Sequence, residues 1–136
     1  MNIDKFKHQH TKIYDCINIL RTYSVAGIAE HAREIAENVV AMSSLIKLHL
    51  TVEDSVLYPA LRESSKHALA KMGAQYQEDM KVIARSYEAF ARKWNTASNV
   101  AQDPAGFRAD ANTVLRKLHA RIQQEDRHFY PAIEAM

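Results

Sequence analysis

Apolar residues recur along most of this chain at intervals of three and four, the spacing that lines one side of a helix. Phe6, His10, Ile13, Ile17 and Leu20 follow a 4-3-4-3 pattern. A longer stripe runs through Ile35, Val39, Met42, Ile46, His49, Glu53, Val56 and Ala60. A third takes in Met72, Tyr76, Met80, Ile83, Tyr87, Phe90 and Trp94. The fourth holds Phe107, Ala111, Val114, Leu118, Arg121, Glu125, His128 and Ala132. Breaks are few: Ser24 to Gly27, Pro59 to about Lys66, and Asn95 to Gly106, where Asp103-Pro104 is a helix-start signal. The pattern predicts helices over 3–22, 27–62, 66–97 and 104–134. Four such stripes on segments joined by short connections predict an all-α fold, an antiparallel up-down-up-down four-helix bundle forming one domain over residues 1–136.

Composition agrees. Only 3 Gly and 3 Pro occur in 136 residues, and good helix formers dominate. A chain of this length can bury one adequate core. The net charge of +2 is spread without a basic block, which argues against nucleic-acid and membrane-surface binding. Cys16 is alone, so no internal disulfide forms. The first ten residues lack the apolar core of a signal peptide, and no stretch reads as the roughly 20 apolar residues of a membrane span. A cytoplasmic location is the expectation.

Chemistry enters where polar residues interrupt the stripes. His10 lies in the first, His49 and Glu53 in the second, Glu125 in the fourth, with Arg121 and His128 beside it. Residues four apart share a helix face, so His49 and Glu53 project together. Burying carboxylates without partners costs several kcal/mol. Two explanations are open: a metal ion, for which neutral His and ionised Glu are suitable ligands, or a polar network paired through Arg121.

The second and fourth segments also repeat one another. His49-Leu-Thr-Val-Glu53-Asp54-Ser-Val-Leu-Tyr58-Pro59-Ala60-Leu61 aligns without gaps to Arg121-Ile-Gln-Gln-Glu125-Asp126-Arg-His-Phe-Tyr130-Pro131-Ala132-Ile133. Glu53 and Glu125 become equivalent, and Arg121 falls opposite His49.

With His10, the His49-x-x-x-Glu53 motif and the two Tyr-Pro tails in place, nearly the whole chain resembles the hemerythrin-like, or HHE cation-binding, family. The resemblance implies a bundle holding two irons bridged by carboxylates, binding oxygen or handling nitric oxide, peroxide or iron. It assigns His10 to the ligand of the first helix, His49 and Glu53 to those of the second, and Glu125 to the bridging carboxylate of the fourth. Two ligands of the pattern are missing. The third helix has no His near Tyr76 or Met80, and Arg121, which cannot ligate, replaces the His of the fourth. His128, three residues after Glu125, is a candidate substitute, as Glu-x-x-His serves di-metal bundles. Tyr76 is another, through its phenolate. A slip in the fourth helix would turn His119 inward instead of Arg121.

Two functions follow as expectations. One is a non-haem iron protein with one or two ions and a small diatomic molecule or peroxide as ligand, more a binding protein than an enzyme. The other is a metal-free scaffold in which Arg121 neutralises Glu53 and Glu125 and the bundle serves as an interaction or regulatory module. Acid–base catalysis by the carboxylates ranks last, because no nucleophile or substrate pocket is legible. The sequence names no protein partner.

Overall fold

A computed structural model of the chain describes residues 2–135, which are helical nearly throughout, with no strand among them. Helix α1 spans Asp4–Ala26 and α2 Ala32–Val52. A π-helical turn, Glu53–Leu57, carries α2 without a break into α3, Tyr58–Arg62. Helix α4 spans His67–Trp94, and a short α5, Ala97–Gln102, follows. Helix α6, Pro104–Gln124, runs through a second π-helical turn, Glu125–Phe129, into α7, Tyr130–Glu134.

Local chemistry accounts for the ends. Asn2 Oδ1 accepts the Asp4 N–H at 2.9 Å at the start of α1. Asp103 Oδ1 accepts the Gly106 N–H at 2.9 Å, with Pro104 in the first turn of α6. Gly27 ends α1 at φ 141°, a conformation that L side chains rarely adopt, while its N–H bonds the Tyr23 carbonyl at 2.9 Å. The break expected from Ser24 to Gly27 therefore narrows to Gly27 and the turn after it. The connection expected over Asn95–Gly106 is shortened too, because Thr96 caps α5 by accepting the Asn99 N–H.

The two π turns correct the inward stripes. Each precedes a Tyr-Pro pair. Proline has no N–H, and its ring crowds the carbonyl four residues back. The chain widens by one residue, so the Tyr58 N–H bonds Glu53 O and the Tyr130 N–H bonds Glu125 O. Beyond each glutamate the buried positions move on by one. Leu57 and Leu61 are buried where Val56 and Ala60 were expected, and Phe129 and Ile133 where His128 and Ala132 were expected. Val56 is 54% exposed. On α4, Leu69 and Gly73 are buried while Met72 lies exposed. Gly73 gives the room: a Cβ there would press on the Leu61 side chain.

The rod Ala32–Arg62 is, contrary to the sequence expectation, long and apolar enough by length and composition to cross a membrane. Core helices of soluble proteins meet the same test. Its inner side packs here against α1, α4 and α5.

Two apolar clusters form the core. The larger joins Ile13, Ile17, Val39, Met42, Tyr87, Trp94, Phe107 and Leu118 with their neighbours. The smaller joins Ile3, Phe6, Leu57, Leu61, Phe129 and Ile133 with Tyr58 and Tyr130. Between them lies a polar layer. Gln9, His10, His49, Glu53, Arg121 and Glu125 are the buried polar and charged residues among those described. The smaller cluster covers the layer on one side and the larger on the other, and the six residues of the layer are at most 7% exposed.

Candidate metal centre

Each polar side chain of this layer is delivered by a helix whose apolar stripe fixes its rotation. Phe6 and Ile13 hold α1 so that Gln9 and His10 face inward. Ile46 and Leu57 do the same for His49 and Glu53. Leu118, Ile122 and Phe129 do so for Arg121 and Glu125.

The two imidazoles meet at their Nε2 atoms, 3.1 Å apart. His10 Nε2 lies 3.0 Å from Glu125 Oε1, and His49 Nε2 lies 3.8 Å from the same oxygen. These donor atoms all fall within 4.8 Å of one another. Glu53 closes the group, its Oε1 3.3 Å from His49 Nε2. That oxygen is wholly buried and has no hydrogen-bond partner. Tyr130 donates its hydroxyl to Glu53 Oε2 at 3.2 Å and stands 3.2 Å from His10 Nε2.

The outer sides of the rings are equally engaged. His10 Nδ1 lies 2.7 Å from Asp126 Oδ1, and His49 Nδ1 lies 2.6 Å from Gln9 Oε1. Both partners are acceptors, so each Nδ1 carries a proton and donates it. In a neutral ring that leaves Nε2 as a lone pair. Two such lone pairs and a carboxylate oxygen then point into one space. The arrangement is repulsive unless a cation or an extra proton lies among them. A partnered Nδ1 with a free Nε2 is how metal-ligating histidines are commonly held.

Charge is distributed unevenly. Burial works to raise the Glu125 carboxyl, but bonds from His10 and His49 and the charge of Arg121 outweigh it and hold the group at about 2. Glu53 goes the other way, raised well above the usual carboxylate range by burial and by the Glu125 charge. Burial lowers His49. Burial also works to lower His10, yet Glu125 and Asp126 together raise it. With Arg121 as the cation of the layer, then, the surroundings favour negative charge on Glu125, disfavour it on Glu53 and favour positive charge on His10. A metal held here would bind these side chains in their deprotonated forms, as ligands must be deprotonated.

Arg121 is inward, 4% exposed, and His119 lies outside the group, edge-on to Tyr14. One Arg121 nitrogen, Nη2, donates to the Tyr76 carbonyl at 2.6 Å and to Glu125 Oε2 at 3.4 Å. The guanidinium also lies over the Tyr76 ring, 4.6 Å from its centre.

Of the residues the sequence nominated, the structure brings together His10, His49, Glu53 and Glu125. His128 is a correction: it is exposed, because the π turn puts Phe129 inward in its place. Tyr76 stacks on Phe129, ring centres 4.2 Å apart, and meets the layer through its backbone oxygen. Sequence reasoning missed Gln9, Asp126 and Tyr130. Asp126 and Tyr130 had a signal, since Glu-Asp and Tyr-Pro recur at fixed spacing in the repeat. Gln9 had none.

The family model of the Hemerythrin HHE cation binding domain matches residues 1–133, nearly the whole chain. The chain belongs to this family. Its fold is a hemerythrin-like helical scaffold of the metal-binding kind, with His10, His49 and Glu125 as a possible site. Comparison with curated proteins and with solved structures gave no match.

Proposed function

We propose that this chain is a hemerythrin-like non-haem iron protein that binds or senses a small molecule, dioxygen, nitric oxide or peroxide, or handles iron itself. The observation that carries the reading is the convergence of His10 Nε2, His49 Nε2 and Glu125 Oε1, with both Nδ1 atoms already engaged. The unpartnered Glu53 Oε1 fits the same reading as a fourth donor. His10, His49, Glu125 and Glu53 would hold the ion, and His128, exposed at the surface, would not. Iron held there would supply redox chemistry and the binding of a small ligand. Asp126 and Gln9 fix the imidazole tautomers, Tyr130 keeps a hydroxyl proton beside His10 and Glu53, and the apolar clusters keep out bulk water.

We read the scaffold as a single antiparallel up-down-up-down four-helix bundle. Supporting this, Tyr23 meets His31 while His10 meets His49, so the numbering falls along α1 as it rises along α2. Trp94 meets Asp110 while Tyr76 meets Arg121, which relates α4 and α6 in the same way. A cytoplasmic setting and a binding rather than catalytic role belong to the same proposal.

One observation favours a second reading. The contact of Arg121 with Glu125 gives the buried carboxylate a cation without any metal. In that case the layer is a sealed proton-sharing network, and the bundle acts as an interaction or regulatory module. Anaerobic loading with ferrous iron, removal of the excess and mass spectrometric measurement of iron per chain separates the two. Iron retained by the wild type and lost in His49→Ala supports the metal site. A folded wild type that retains none supports the sealed network.

A further inference from the structure

The polar layer has two halves that the internal repeat relates, and only one of them offers metal ligands. In the first half, Gln9 of α1 supports His49 through its Nδ1, and its neighbour His10 bonds Asp126. In the second, Tyr76 of α4 supports Arg121 through its carbonyl, and its neighbour Gln77 bonds Asp54, Nε2 to Oδ1 at 3.0 Å. The repeat already pairs His49 with Arg121, Glu53 with Glu125 and Asp54 with Asp126. The contacts extend that pairing to α1 and α4: Gln9 with Tyr76, and His10 with Gln77. Arg121 thus stands opposite His49, and the counterpart of His10 is Gln77, a half-buried side chain turned to Asp54 and Arg62 at the surface, so neither counterpart offers an imidazole.

Glu125 lies between the halves and is divided by them. Its Oε1 faces His10 and His49, and its Oε2 faces the Arg121 guanidinium at 3.4 Å. The guanidinium is pinned from outside by the Tyr76 carbonyl and ring. It is permanently charged, so a second metal ion in that half would meet an immobile positive charge and no imidazole. The neighbouring carboxylate Glu53 would have to serve both.

From this we infer that the layer is built for one metal ion per chain, with the Arg121 guanidinium as its fixed second cation and Glu125 shared between ion and guanidinium. The inference rests on the metal-binding reading above and deepens it.

The test is the number of ferrous ions retained per folded chain, by native mass spectrometry, in the wild type and in Gln77→His/Arg121→His. The wild type is expected to retain one, and the double variant, with both imidazoles restored, two. Two ions in the wild type would overturn the inference and leave the metal-binding reading intact. None in the wild type would instead overturn the metal-binding reading. A folded double variant that still retains one would show that Gln77 and Arg121 are not the second half-site. Arg121→Lys, which keeps the charge, covers the case in which the double variant fails to fold. It is expected to stay at one ion, and two there would overturn the part given to the guanidinium.

Discussion

At the scale of single residues, the proposed centre rests on groups outside its donor set. Asp126 holds His10 Nδ1 and so presents His10 Nε2 inward. Loss of such a supporting carboxylate typically weakens metal binding about 10–100-fold. Asp126→Ala is expected to fall in that range, with helical content unchanged, as read by competition against a chelator of known affinity. Arg121 matters in another way. In metal-free protein it is the permanent cation beside buried Glu125. Arg121→Ala leaves that carboxylate to the imidazoles alone and is expected to lower the stability of the metal-free protein by about 3–5 kcal/mol in denaturant unfolding. An unchanged unfolding midpoint would show that the ion pair contributes nothing.

Elements decide what those residues can reach. Each π turn adds one residue between a buried glutamate and the tail that follows, which brings Tyr130 onto Glu53 and turns His128 outward. Helical spacing read from the sequence assumes a uniform 3.6 residues per turn. It could not register an insertion caused by a proline six residues after the glutamate. The stripe read correctly as far as Glu53 and Glu125 and was one residue out beyond them. The other element-level device is Gly27, which ends α1 at φ 141°. Any Cβ there would meet the Glu30 side chain as well. Gly27→Ala is expected to lower stability by about 1–3 kcal/mol, checked by calorimetric melting.

Over the whole molecule, burial of tyrosines sets a limit in alkali. Burial, with the nearby Asp126 charge, pushes the Tyr14 hydroxyl up to about 12. Burial likewise raises Tyr87, which donates to the Val39 carbonyl at 2.7 Å. In the unfolded chain both ionise near 10. The folded state therefore keeps protons that the unfolded state releases. The resulting stability is complete below pH 10 and is lost progressively as pH rises through 12. Spectrophotometric titration of tyrosinate absorbance is expected to show a late-ionising fraction that vanishes on unfolding. All tyrosines ionising together near pH 10 in folded protein would contradict it.

The division between sequence and structure follows from range. Helical type, the approximate positions of the long helices, and the candidacy of His10, His49, Glu53 and Glu125 are local matters. They rest on apolar periodicity and on charged groups set within it, and one chain read alone displays both. The same reading showed that Arg121 stands opposite His49 in the repeat. Tertiary structure alone decided which polar atoms meet across helices. The Nε2 atoms of His10 and His49, 39 residues apart, lie 3.1 Å from each other, and His10 finds Asp126 across 116 residues. No periodicity encodes such pairings, because they depend on how helices rotate and shift against one another when their cores pack. That packing also decided that Arg121 rather than His119 faces Glu125.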